Sequence, residues 1–369
     1  MRGVRTAPRF EGGESFRRRV DDTVQLLGPL ALVVVLALIA SQTVNAADDV
    51  KFRTAIVNVA IVVALYVFVG NSGVLSFGQV SFVAVGAFAA GLLTVPADVK
   101  PGVLPQLFPF LRDHSISNPW SLTLAAGLGA VYALVVGVPL MRLSGLAAGI
   151  ATFAVLGITY NILTYWTRIG PGATTLTLIP VTTDYLQATV GAVAVIAIAF
   201  AYQRSRWGRQ LRATREDPAA AQAAGIDVHR QRLWAFVLSG ALSGFAGGLL
   251  VHLPPGSITT NQVYLDLTFL TLAMLVVGGA HSLFGAVAGA IGISLVNILL
   301  QNGENGIHVV GWKISLPQGS SLVGVAIVML VVLLLRPSGL TGGREFAIPR
   351  RLRRRPGAEP PAPAPEPGV

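Results

Sequence analysis

Twelve uncharged polar side chains interrupt otherwise apolar stretches of this chain: Asn58, Gln79, Ser81, Thr152, Thr159, Asn161, Ser239, Ser243, Thr268, Thr271, Ser294 and Asn297. Amides and hydroxyls donate and accept hydrogen bonds without carrying charge, so what they offer is solvation of a polar solute or of a neighbouring helix, not bond making. An amide facing lipid is costly, and Gln79, Asn161 and Asn297 are therefore expected to face the bundle interior, an adjacent helix or a watered cavity. Gln79, Ser81, Asn161, Ser239, Ser243 and Asn297 are the candidates for lining a solute path. Hydrogen bonding between helices is the competing reading of each.

Several kinds of chemistry find no residues to carry them. There is no Gly-x-x-x-x-Gly-Lys-Ser/Thr phosphate loop, no Gly-x-Ser-x-Gly elbow, no His-Glu-x-x-His pair and no cluster of carboxylates, so neither nucleotide binding nor hydrolysis has a visible site. With zero cysteines, disulfides and thiolate metal sites are excluded. No Asp, Glu, Lys or Arg falls mid-span, Asp266, His252 and His281 lying near ends. Ion-driven carriers place titratable groups there, so the energy for any transport is expected to come from elsewhere.

The elements that position these groups are membrane helices. Of 369 residues, 53% are hydrophobic and 12% charged, well below the roughly 25% charge of a soluble domain. Apolar segments near 26–40, 54–70, 76–95, 119–140, 144–165, 185–202, 232–252, 264–280, 282–301 and 319–335 predict ten spans of about 30 Å of hydrocarbon each. A signal peptide is the rival reading of the first, because Val44-Asn45-Ala46 resembles a cleavage site; a retained span fits the long charged leader and the orientation of the spans that follow. With both ends in the cytosol, the inside segments hold six, one, seven and seven of the lysines and arginines, and the outside segments only six. That asymmetry orients the bundle and accounts for the net charge of +10 without nucleic acid.

The expected fold is thus all-α, a polytopic helix bundle with both termini cytosolic. Its divisions are a basic tail over 1–24, a transmembrane domain over 25–340 with a charged loop at 203–231, and an Arg/Pro/Ala-rich tail over 341–369 that cannot bury a core. A broken or re-entrant helix is possible at Gly70-Asn71-Ser72-Gly73, and Gly278 to Ser282 reads as a tight turn. The five prolines between Pro96 and Pro119 disfavour regular helix in the outer loop, which could meet an external partner.

Within 203–231, Asp217-Pro218 is a helix start, with Asp capping free N–H groups and Pro at the first helical position. Ala219 to Ala224 continue it, and Gly225 ends it in a left-handed cap. A helix of about two turns is marginal alone in water and needs a partner surface; an ordinary solvated loop is the plainer alternative. Small residues recur at four-residue spacing at Gly145 and Gly149, at Gly240, Gly244 and Gly248, and at Gly285 and Gly289. Such ridges let backbones approach closely in lipid, with helix packing the first explanation and sliding or gating a second.

Three stretches resemble the branched-chain amino acid ABC transporter permeases of the LivM/LivH type: GNSGVLSFGQVSFVAVGAFAAGLL, GRQLRATREDPAAAQAAGIDVHRQRLWAFVLSGALSGFAGGLL, and FLTLAMLVVGGAHSLFGAVAGAIGI. They fall in the family's order over roughly residues 54 to 340. The resemblance implies a pore subunit in a bacterial cytoplasmic membrane that pairs with a second permease, is worked by two cytosolic ATPases carrying ATP and Mg, and receives solute from an extracytoplasmic binding protein. It implies no cofactor on this chain. It assigns ATPase coupling to Glu216, Asp217, Ala220, Ala221 and Gly225, and matches Gln79 to the family's Gly-Gln pair. The family commonly has Glu where Gln222 stands, which alters one contact to the ATPase. Branched-chain amino acids are the implied cargo. Urea, short amides, aromatic acids or sugars are alternatives within the same architecture, and an ion-coupled secondary carrier is the alternative outside it.

Overall fold

The computed structural model describes residues 11–43, 46–143, 145–305, 307–309, 312–314, 317, 319–343 and 345. In chain order the helices are α1 (Glu11–Thr43), α2 (Ala46–Ser72), α3 (Gln79–Thr94), the one-turn α4 (Lys100–Val103) and α5 (Pro109–Arg112), α6 (Asn118–Leu140), α7 (Gly145–Tyr165), α8 (Tyr185–Arg204), α9 (Arg206–Glu216), α10 (Pro218–Ala223), α11 (Val228–Val251), α12 (Leu265–Gly278), α13 (Leu283–Asn305) and α14 (Ser320–Leu335). A short hairpin, β1 (Ile307–Val309) with β2 (Trp312–Ile314), joins the last two. Among the described residues, eight helices are long and apolar enough to cross a membrane. The apolar α3 and α14, at 16 residues each, reach only about 24 Å at 1.5 Å per residue.

The bundle is built around α2 and α11. Every residue of α2 from Ala55 to Ser72 is buried, which explains its near-uniform hydrophobicity: a helix apolar on all sides is one covered on all sides. Around α2 lie α8, α11 and α13, with α1, α9 and α12 at its margins, while α3 and α6 pack on α11. Phe82 and Phe236 pack edge to face with ring centroids 5.2 Å apart, and Phe68 and Tyr132 flank them at 5.0 and 5.7 Å.

Close approach of backbones is the second device. A Cβ on Gly244 would lie 2.4 Å from the Ala125 carbonyl oxygen, one on Gly247 2.1 Å from that of Val83, and one on Gly240 2.4 Å from the Ala133 Cβ. Gly248 presses on Leu122. So α11 is seated against α6 and α3 with no room for side chains. Gly285 and Gly289 do the same between α13 and α12, with the Gly289 position 2.1 Å from the Met274 oxygen. Gly145 and Gly149 behave differently: nothing lies within 4 Å of a Cβ on Gly145, and the nearest atom to one on Gly149 is 3.7 Å away. This pair makes no tight seam within the chain. Gly145 instead takes a positive φ of 58° at the start of α7.

Several boundaries shift from expectation. The helix α2 runs on through Gly70, Asn71 and Ser72, and the break falls at 73–78, beginning with Gly73 at φ 71°. The prolines of the outer loop do not abolish helix; Pro101 and Pro109 start the single turns α4 and α5, where a missing N–H costs nothing. The first helix begins at Glu11, inside the stretch expected as a tail. Thr341 and Glu345, assigned by sequence to the far tail, dock on the bundle. The Thr341 hydroxyl donates to the Gly278 oxygen at 2.8 Å, and the Glu345 carboxylate accepts from the backbone N–H of Leu283 at 3.0 Å and of Phe284 at 3.3 Å. The rest of that tail, 346–369, lies outside the described residues.

Candidate functional site: a capped handle and a broken helix

Between α8 and α11 the chain leaves the bundle as α9 and α10, and its local chemistry dictates both. Ser205 starts α9 by accepting from the Gly208 N–H at 3.2 Å. Gly208, Leu211 and Thr214 are its buried residues, and its arginines tie it down. Arg215 donates to the Gly70 oxygen at 2.8 Å, a carbonyl of the last turn of α2, where a cation also meets the negative end of the helix dipole. Arg212 donates to the Gln203 oxygen at 2.6 Å. Gln203 in turn accepts from the Tyr66 hydroxyl at 2.9 Å and donates to Glu345 at 3.2 Å.

Asp217 ends α9 and caps α10, accepting from the N–H groups of Ala219 at 2.9 Å and Ala220 at 3.0 Å. At the other end, the Ile226 N–H returns to the Ala221 oxygen at 3.0 Å and Gly225 adopts φ 80°. Asp227 then caps α11 through the Arg230 N–H at 3.1 Å. The six-residue helix α10 is therefore closed at both ends by its own sequence. Glu216, Asp217, Ala220 and Gly225 are exposed, whereas Ala221 is buried and serves to seat the helix, not to present it. The Arg215 guanidinium 2.6 Å from Glu216 holds that exposed carboxyl below its ordinary range. Beneath the handle lies a cleft of about 500 Å³, lined by Gly73, Phe77, Gly149, Arg215, Pro218 and Arg232 among others.

The six path candidates do not converge. Gln79 opens α3 immediately after the break, buried, with neither amide atom hydrogen-bonded among the described residues. Asn71 Oδ1 and Ser76 Oγ, in the same stretch, are likewise buried without partners. Ser81 donates to the Gly78 oxygen and so finishes the start of α3. Ser239 donates to the Ala64 oxygen at 2.6 Å, pinning α11 to α2, while the buried Ser243 hydroxyl has no partner among the described residues. Asn161 is on the outer surface of the chain, donating back to the Gly157 oxygen at 2.8 Å; of the three surroundings expected for it, bundle interior, adjacent helix or watered cavity, the interior of this chain is not where it lies, because α7 packs along one side only. Asn297 lines a cleft at the far end of the bundle.

Sequence reasoning missed α9, though Ser205 as cap with Leu211 and Thr214 on one face was a readable signal. It also missed the partnership of Gln203 and Glu345, which are 142 residues apart and have no local signature. Among the described residues, no group of three or more His, Asp or Glu could hold a metal ion.

Buried apolar helices, close glycine seams and a polar loop docked on one end define a polytopic helical membrane protein. Residues 52–335 match the family described as branched-chain amino acid transport system / permease component, and the chain belongs to that family. It is similar to the probable branched-chain amino acid transport permease protein LivM of Methanocaldococcus jannaschii, 25% identical over 76% of this chain and 89% of that protein. It is 34% identical to the probable LivH of the same organism over 43% of this chain, and there the chain spans about half (48%) of the relative's length. The guanosine ABC transporter permease protein NupQ of Bacillus subtilis is 28% identical over 62% of this chain and 72% of its own. No solved structure matches.

Proposed function

We propose that this chain is the membrane permease of an ATP-driven importer of branched-chain amino acids, paired with a second permease, worked by two cytosolic ATPases carrying ATP and Mg, and supplied by an extracytoplasmic binding protein. The observation that carries the reading is α10: a short helix capped at both ends, exposed at Asp217, Ala219, Ala220, Gln222 and Ala223, on a chain without a mid-span charge of its own. Movement of α10 would reach the bundle by two routes, through Arg215 to the end of α2 and through Asp227 into α11 and its glycine seam. Both termini and the handle then lie in the cytosol of a cell whose cytoplasmic membrane holds the bundle. The LivM and LivH relatives favour leucine, isoleucine or valine as cargo. NupQ, and the fructose import permease FrcC of Rhizobium meliloti at 27% identity, keep other solutes as the second reading.

The test is Ala220→Trp, which alters an exposed position without entering the fold. ATPase co-purification and leucine uptake should both fall while the chain remains monodisperse in detergent. Undiminished assembly and uptake would refute the handle. Uptake that needs no ATPase but collapses with an ionophore would establish a secondary carrier instead.

A further inference from the structure

One end of the bundle holds the C-terminal end of α2 and the N-terminal end of α13; at the other, the N-terminal part of α2 and the C-terminal part of α13 flank a cleft and are bridged at its rim by Asn302, which donates to Asp48 at 3.1 Å and accepts from Lys51. Lys51, Thr54 and Asn58 stand at i, i+3 and i+7 on α2. Ser294, Asn297 and Gln301 stand at i, i+3 and i+7 on α13. Both stripes line a two-lobed cleft whose lobes, of about 130 and 440 Å³, share Thr54, Asn58, Asn297 and Gln301.

Two observations separate this cleft from a packing gap. Asn58 is 6% and Ser294 3% exposed, and neither Asn58 Oδ1 nor Ser294 Oγ has a hydrogen-bond partner among the described residues. Leaving such buried groups without partners is costly, and a fold tolerates it where a ligand or water completes them. The larger lobe adds a leucine wall of Leu250, Leu253, Leu267 and Leu270, with Ser257 and Gln262 beside it.

We infer that this cleft is a solute-binding subsite on the extracytoplasmic side of the permease, shaped for a zwitterionic amino acid with an aliphatic side chain. The class follows from the lining. Lys51 at the rim donates to Asp48 at 2.8 Å and to Asn302, two of the three donors of an ammonium, leaving one for a carboxylate. Asn58 Oδ1 is an acceptor for the solute's ammonium, and the leucine wall takes its side chain. No aromatic residue is among those lining the cleft, so the stacking surface on which proteins commonly hold nucleobases is missing. The solute class rests on the amino-acid reading above; the cleft itself does not.

The absence of cysteine from the chain makes the test clean. Asn297→Cys and Thr54→Cys, in the full-length chain in lipid nanodiscs, are labelled with a membrane-impermeant thiol reagent, with Asp113→Cys in the exposed outer loop as control. Both cleft positions should label, and leucine should slow them by about tenfold when it exceeds its dissociation constant about tenfold, with Asp113→Cys unaffected. Guanosine and fructose should give no protection. Failure of both cleft positions to label, or labelling that leucine does not slow, overturns the subsite. Protection by guanosine or fructose in place of leucine overturns the amino-acid assignment. Leucine uptake by the unsubstituted chain with its ATPases, measured in parallel, separates the two readings: ATPase-dependent uptake without protection removes the subsite and leaves the permease standing.

Discussion

The two ends of α13 were built to opposite rules. At its N-terminal end, Gly285 and Gly289 press backbone on backbone against α12, and the free N–H groups of Leu283 and Phe284 are taken by Glu345. Toward its C-terminal end Ser294, Asn297 and Gln301 line a cleft in which the buried Asn58 Oδ1 and Ser294 Oγ have no partner among the described residues. One helix is thus seated by backbone contact at one end and lined by unmatched polar groups along a cleft at the other. Substitutions that remove polar or small groups should therefore be costly at one end and cheap at the other.

The sharpest break of that contrast is Gly289→Leu. With the Cβ position only 2.1 Å from the Met274 oxygen, α12 and α13 cannot stay seated, and the cost should exceed the roughly 1–3 kcal/mol of ordinary overpacking. Loss of the monodisperse species in detergent is the expected result, and a normal melting profile would contradict the seam. Next is Glu345→Ala, which strips the α13 N-terminus and the Gln203 amide of an acceptor. A loss of about 1–2 kcal/mol is expected from the cap and dipole together, measured as a lowered melting midpoint, with Glu345→Gln recovering part of it.

At the cleft end the sign reverses. Asn58→Leu removes an unpaired buried oxygen and should leave the midpoint unchanged or raise it, by up to about 1 kcal/mol, while leucine uptake falls; a strongly lowered midpoint would mark Asn58 as structural. The smallest effect concerns Glu216. Its folded-state pKa is lowered by Arg215, so the pair contributes above the unfolded carboxylate range and that contribution fades as pH falls through the lowered value. Because the carboxyl is fully exposed, Glu216→Gln should shift the melting midpoint only marginally, and only at neutral pH. Comparison of the two proteins across an acid titration checks it.

Much of the handle was legible because its signals are local. Asp217-Pro218 and Gly225 declare the start and stop of α10 within nine residues, and the structure places a cap and a left-handed residue there. The polar stripes of the cleft were visible as residues but not as a pair. Which face of α2 meets which face of α13 depends on contacts between residues more than 200 positions apart. The glycine ridges show the same limit: three of identical spacing were readable, yet only those on α11 and α13 meet another backbone, while Gly145 and Gly149 border an open cleft. Asn161 looked like any other buried amide because periodicity cannot reveal that α7 lies at the margin of the bundle.

Composition and the placement of apolar runs were sufficient to establish a multi-helix membrane bundle, since lipid demands helices of a given length. Tertiary structure alone decided where backbones touch, where they part, and which polar atoms are left without partners. Those outcomes depend on the angle and depth at which distant helices meet, and no short stretch of sequence carries that information.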